Sequence, residues 1–333
     1  MPQLNRTSRT SPGSNAVGKA PGSKTTAGDQ KGRRTAFIIA AVVIVLILII
    51  VRVSLYIDAA PFRRTIITVD DISIKMDYFL MRTRLAGVDS NEMIDALTNE
   101  QLIKIEAPQY VTEVSPEDID QTLREVARGE SETISESEFK EWYRQLLNEV
   151  GLSDSEYEEI VAISLLTSRF HEYLAERVAT VAEQVHIYAT VLKTYEDAEE
   201  VRARWVDGED FTDLAREVSL DEVSGEQGGD FGWLPRGILP PGFDRVVFNL
   251  AIDDVSEPLA YASDLTAAEI EVFFYLLMVS EKADAREIEE GSLQILQAKI
   301  LDDWLLEEIK FHEVEWNFTS EIYWWITWQL AKE

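Results

Sequence analysis

Cysteine is absent from the 333-residue chain. Its absence excludes disulfides, thiolate chemistry and anchoring through a lipidated N-terminal cysteine. Histidine is nearly absent too, with only His171, His186 and His312. His171 lies among Phe170, Tyr173 and Leu174 and reads as a helix-packing residue, since a single His without a nearby partner cannot hold a metal. Positive charge is scarce beyond residue 64. Residues 1–64 hold ten Lys and Arg against two Asp, a net of +8, while the whole chain carries −30, which leaves −38 for residues 65–333. So acidic an exterior repels phosphate, so no nucleic-acid partner is expected. It reads as solvated surface that keeps the chain soluble.

What the chain does have begins with one long apolar run, Ala36 to Val51, which resumes beyond Arg52 with Val53, Leu55, Tyr56 and Ile57. A spanning helix needs roughly 20 residues, and an arginine near its end can snorkel to the interface. Residues 35–57 are therefore predicted to form one transmembrane helix. Arg6, Arg9, Lys19, Lys24, Lys31, Arg33 and Arg34 precede it, opposed by Asp29 alone. That bias predicts a single-pass protein of the cell membrane with a cytoplasmic N-terminus and the main domains outside. The length of the run and the poor cleavage context at Asp58 favour an uncleaved anchor over a signal peptide. Residues 1–34, rich in Ser, Thr, Gly, Pro and Lys without apolar periodicity, are predicted to be a disordered tail.

Residues 65–184 read as a helical module. Ile66, Ile67 and Val69, the turn Asp70-Asp71, then Ile72 and Ile74 suggest a short hairpin, with a helix starting near Lys75. Ser90 is the expected cap of the next helix. Ser115-Pro116-Glu117-Asp118 is a start signal, with proline at the first helical position and acids at the positive dipole end. Ser135 with Glu138 and Ser153 with Glu156 fit capping boxes, and Gly151 ends the helix between them. A longer helix is predicted from Asp154 to about Thr180.

Residues 185–283 carry the motifs. A strand from Val185 to Leu192 is followed by two helices, the first capped by Thr194. A short strand Phe231-Gly232-Trp233-Leu234, a helix over 240–250 and a strand pair (Val255 to Leu259, Val272 to Ser280) complete the pattern. Lys193-Thr194-Tyr195-Glu196-Asp197-Ala198-Glu199, Gly208-Glu209-Asp210-Phe211, Ser219-Leu220-Asp221, Gly228-Gly229-Asp230-Phe231-Gly232-Trp233, Phe243 with Phe248, and Val255-Ser256-Glu257-Pro258 stand in an order and spacing that resemble the parvulin-type (PpiC-like) peptidyl-prolyl isomerases. The arrangement of hairpin, helices, long helix and this block resembles the membrane-anchored foldases of the SurA and PrsA type.

The resemblance implies an α+β fold: the transmembrane helix, a helical SurA-like chaperone module over 65–184, a parvulin domain with a four-stranded antiparallel sheet over 185–283, and a C-terminal helical segment over 284–333 returning to the helical module. It implies rotation about an X–Pro amide, a step that needs no cofactor or metal. It requires an apolar cup for the proline ring and polar groups that favour a twisted amide. The cup falls on Phe231, Leu239 and Phe243, and Asp221 is the polar member retained. The family's two histidines fall on Ala189 and Leu276, neither of which can hydrogen-bond through its side chain. His186 lies three residues before Ala189, an odd offset that puts it on the other face of a strand.

The chain is therefore expected to be a foldase or chaperone that binds newly exported, unfolded, proline-containing polypeptides, with weak or lost isomerase activity. An active isomerase, and a membrane scaffold whose parvulin domain is purely structural, remain open. Residues 289–312 are predicted to be an amphipathic helix. The aromatic tail, with Trp316, Trp324, Trp325 and Trp328, reads as docking onto the helical module, as a client surface, or as an anchor at the membrane interface.

Overall fold

The computed structural model describes residues 43–52, 59–262 and 271–332. The tail expected over 1–34, both ends of the apolar segment expected over 35–57, and most of the loop after Tyr261 lie outside the described residues. Within the apolar segment, residues 43–52 are helical and exposed. Among the described residues no helix is long and apolar enough to cross a membrane. Residues 1–64 and 65–333 are separate units.

The second unit opens with β1 (Thr65–Val69) and β2 (Ile72–Lys75), antiparallel and joined at Asp70, whose φ of 50° makes the tight turn. Helices α1 (Met76–Ala86), α2 (Ser90–Glu106), α3 (Pro116–Arg128), α4 (Glu136–Val150) and α5 (Asp154–Ala175) come next in the chain. The capping logic of the sequence holds at three starts: Ser115 with Asp118, Ser135 with Glu138 and Ser153 with Glu156 form reciprocal boxes. Gly151 closes α4 in the left-handed conformation at φ 71°. The cap of α2 is Asp89, not Ser90. Its carboxylate accepts from the backbone N–H groups of Asn91 and Glu92, two donors that Ser90, inside the helix, leaves to it. Helix α5 stops at Ala175, short of the expected Thr180, because the chain from Val181 is drawn into a sheet; the Thr180 carbonyl itself accepts the backbone N–H of Ile288.

That sheet contains β3 (Val181–Leu192), β4 (Asp230–Pro235), β5 (Leu259–Ala262) and β6 (Val272–Glu287) in the antiparallel order β4-β3-β6-β5. Helices α6 (Tyr195–Val206), α7 (Phe211–Val218) and α8 (Glu222–Glu226) fill the β3–β4 connection, and α9 (Pro241–Asn249) succeeds β4. The strand expected over Val255 to Leu259 forms later, at Leu259–Ala262. Pro258 has no N–H for a ladder, so Val255 contributes only an isolated bridge to Met278. The sheet is apolar on both faces. Val185, Ile187, Ala189, Leu277 and Val279 pack with Phe243, Val247 and Phe248 on one side. Leu192 and Leu276 pack with Ala198, Val201, Phe211 and Leu214 on the other.

The chain then returns to its beginning. Helix α10 (Glu290–Glu308) lies against α5, with Trp304 edge-on to Phe170 at 4.7 Å and the His171 ring Nε2 3.0 Å from the Gln297 carbonyl. Strand β7 (Val314–Trp316) pairs with β1, giving the order β2-β1-β7. Helix α11 (Ser320–Leu330) packs on α1 and α2, burying Ile326. The aromatic tail thus completes the first helical layer, while Trp324 and Trp328 remain exposed.

Candidate functional site

The double glycine Gly228-Gly229 is a geometric requirement. Gly229 sits at φ 83°, and a Cβ there would lie 2.4 Å from the Ala189 carbonyl oxygen. Backbone contact this close brings the start of β4 against the middle of β3, sealed by a 2.8 Å hydrogen bond from the Ala189 N–H to the Gly229 carbonyl. Phe231, two residues on, is thereby carried to the mouth of a cavity on the α9 side of the sheet.

This cavity, of about 170 Å³, is lined by Ile187, Ala189, Phe231, Leu239, Pro240, Phe243, Tyr261, Tyr275 and Leu277. The three residues expected to form the cup, Phe231, Leu239 and Phe243, come together in it. Phe243 is buried and doubles as a core residue, whereas Phe231 is exposed at the rim. Phe243 meets two tyrosines, with ring centroids 5.3 Å from Tyr275 and 5.9 Å from Tyr261, and the tyrosines meet edge-on at 6.1 Å. Among the described residues no charged side chain lines the cavity. An engineered cavity of about 150 Å³ takes up benzene, so a five-membered ring fits this one.

Asp221 is not part of the wall. Its Oδ1 caps α8, accepting from the N–H groups of Val223 at 3.0 Å and Ser224 at 3.3 Å. Its negative charge nevertheless reaches Tyr275. Burial, then Tyr261 and Asp221, push the Tyr275 phenol above its ordinary pKa, so it stays protonated, an O–H donor, at neutral pH.

The positions expected to replace the histidines fare differently. Ala189 faces the cavity. Leu276, fully buried, belongs to the opposite face of the sheet, and the β6 side chains that reach the cup are its two neighbours, Tyr275 and Leu277. Strand alternation makes a one-residue offset a change of face. Tyr275 and Tyr261 are thus the residues that sequence reasoning missed. The run Phe273 to Val279 is apolar on both faces, so it lacks the alternation that would have assigned Tyr275. His186 lies outside the cavity, as the odd offset predicted. Its Nδ1 is 2.9 Å from the Ser280 hydroxyl, its Nε2 is 3.4 Å from Asp230 Oδ1, and its ring is edge-on to Trp233.

Beside the cup runs a polar groove that shares Leu239, Pro240 and Tyr261 and adds Arg236, Asp244, Arg245, Lys299 and Asp303. Burial raises the Asp244 pKa, against the hydrogen bond its Oδ2 accepts from the Gly237 N–H at 2.7 Å.

A four-stranded antiparallel sheet with helices in its first connection and an apolar cup beside α9 defines a parvulin-type domain. Residues 184–279 match the family of PPIC-type PPIase domains, the rotamases, and the chain is similar to foldases of the PrsA type. It is 28% identical over 197 residues to the foldase protein PrsA of Oceanobacillus iheyensis, a stretch covering 55% of this chain and 64% of that protein. It is 40% identical over 76 residues to the periplasmic chaperone PpiD of Haemophilus ducreyi, covering 23% of this chain and 12% of that one. The chain therefore spans less than two thirds of the length of these relatives. Among solved structures, peptidylprolyl isomerase PrsA from Bacillus anthracis aligns over 72% of this chain and 96% of its own, with a TM-score of 0.37 and 16% identity.

Proposed function

We propose that this chain is a membrane-anchored, extracytoplasmic foldase that holds prolyl segments of unfolded, newly exported proteins in the Phe231–Leu239–Phe243 cup and isomerises them weakly. The cavity carries this reading: it is open, apolar, aromatic on two sides and of ring size. Rotation about an X–Pro bond faces a barrier of about 18–20 kcal/mol, and an enzyme lowers it only through contacts stronger to the twisted amide than to the planar one. Here the cup removes water from the amide and grips the ring. The Tyr275 hydroxyl is left as the donor that reaches the substrate, with Asp221 acting on it through its charge. Neither Ala189 nor Tyr275 supplies an imidazole, which is why turnover is expected to be low.

The anchor in this proposal is the apolar segment over 35–57, preceded by the basic tail over 1–34. Residues 65–184 and 284–333 form the chaperone body and 185–283 the prolyl-binding domain. The test is a protease-free isomerisation assay on a short X–Pro peptide, run beside suppression of aggregation of an unfolded client. Client protection with slow turnover supports the proposal; turnover equal to that of a histidine-bearing parvulin refutes the weak-isomerase part. Absence of both would leave the scaffold reading.

A further inference from the structure

A separate group of side chains meets where the C-terminal segment closes on the first hairpin. Asp70, in the β1–β2 turn, pairs with Glu313 through the backbone at 2.8 Å and accepts the Glu313 N–H on Oδ1 at 2.9 Å. Its Oδ2 lies 2.7 Å from Nδ1 of His312, whose side chain is only 8% exposed. Asp70 thus holds the ring by Nδ1–H, which in the neutral imidazole leaves the lone pair on Nε2. That nitrogen faces Glu308 Oε1 at 3.5 Å and Glu106 Oε1 at 3.8 Å. The three ligand atoms lie within 4.8 Å of one another.

These separations are too long for good hydrogen bonds, which run about 2.7–3.2 Å. They approach the spacing of about 3.4 Å between donors around a tetrahedral ion bound at about 2.1 Å. Glu106 and Glu308 each end a helix, α2 and α10, where the dipole is negative and a carboxylate is unfavourable without a cation. Among the described residues no lysine or arginine pairs with either one. Glu106 Oε2 takes the Gln109 side-chain amide at 2.6 Å, which turns Oε1 toward the centre. Three carboxylates, those of Asp70, Glu106 and Glu308, therefore face one imidazole.

We propose that Glu106, Glu308 and Nε2 of His312 bind a divalent first-row cation, with Asp70 orienting the imidazole. One imidazole and two carboxylates suit zinc or manganese, and a carboxylate behind a ligating histidine is the recurrent support of such sites. The ion joins the end of α2 to the end of α10 and so fastens the C-terminal segment to the first helical layer. It leaves a coordination position for water.

The test uses the full chain, stripped with EDTA and titrated with zinc chloride by calorimetry at about pH 8, with the thermal midpoint tracked in parallel; the ordinary histidine pKa is about 6.5, and the Asp70 hydrogen bond, then the Asp70 and Glu106 charges, raise that of His312. One equivalent should bind and raise the midpoint, and cobalt in its place should give the visible absorbance of a tetrahedral site. Asp70→Asn should weaken zinc about 10–100-fold, and Glu308→Gln should weaken it at least as much. Glu308→Gln changes charge rather than shape, so its fold, checked by circular dichroism, keeps the comparison valid even where His312→Gln fails to fold. Absence of stoichiometric binding to the folded wild type overturns the proposal and leaves a protonated His312 among the carboxylates. Binding indifferent to Glu308→Gln and Asp70→Asn overturns it as well, because the ion then sits elsewhere.

Discussion

Tyr275 and Leu276 are adjacent, yet a histidine at one should do the opposite of a histidine at the other. Tyr275 borders the cavity, while Leu276 is 0% exposed among Ala198, Val201, Phe211 and Leu214. Leu276→His removes a fully buried leucine, worth about 2–5 kcal/mol when truncated to Ala. It also leaves an imidazole without a partner in an apolar layer, a further cost of about 1–3 kcal/mol. The sum is about 3–8 kcal/mol, comparable with the whole stability of a typical domain, about 5–15 kcal/mol. Tyr275→His instead exchanges one partly exposed aromatic for another at the cup, and Ala189→His directs its ring into the cavity. The double variant Ala189→His/Tyr275→His should fold and gain isomerase activity; a tenfold gain in kcat/KM would mean about 1.4 kcal/mol of added transition-state stabilisation. Ala189→His/Leu276→His should be unfolded or strongly destabilised. Urea denaturation and then the protease-free peptide assay decide the matter. The reasoning is refuted if the Leu276 variant keeps the wild-type urea midpoint, or if it gains activity and the Tyr275 variant does not.

Gly229→Ala should cost about 2–4 kcal/mol and loosen the cup, because its Cβ would meet the Ala189 carbonyl and its φ of 83° strains any other residue; the urea midpoint and prolyl-peptide affinity should fall together. Asp118 offers a pH test. Hydrogen bonds from the Ser115 backbone and side chain, then the Arg169 guanidinium, hold its pKa down at about 2 against an ordinary 3.8. A depressed folded-state value means stabilisation that is complete above pH 3.8 and lost as pH falls through about 2. The difference in urea midpoint between wild type and Asp118→Asn should therefore be constant from about pH 7 to about pH 5 and shrink below pH 3.8; a difference that persists unchanged to about pH 2 would refute the assignment.

Local chemistry was largely legible. Ser115, Ser135 and Ser153 announced helix starts because a cap and its reciprocal acid act within four residues. Gly151 and the Gly228-Gly229 pair announced backbone conformations that side chains disfavour. Most of the order of strands and helices from 185 to 283 came from periodicity and motif, the short helix α8 and the later start of β5 excepted, and the cup residues Phe231, Leu239 and Phe243 came from the family resemblance. The failures share a cause. Ser90 gave way to its neighbour Asp89 because both can cap, and only the chain's path selects one. Thr180 left its helix because the end of β6, a hundred residues later, offered it a partner.

By itself, then, the sequence determined the likeness of residues 184–279 to the PPIC-type domains, the cup residues Phe231, Leu239 and Phe243, and the lack of an imidazole at Ala189. The tertiary structure alone decided that Tyr275, and not Leu276, looks into the cup. A strand buried on both faces carries no alternation, and its facing is set by what packs above and below it. It likewise decided that Glu106, Glu308 and His312 meet Asp70. They are brought together by the pairing of β7 with β1, a contact between the two ends of the folded unit that no local pattern encodes.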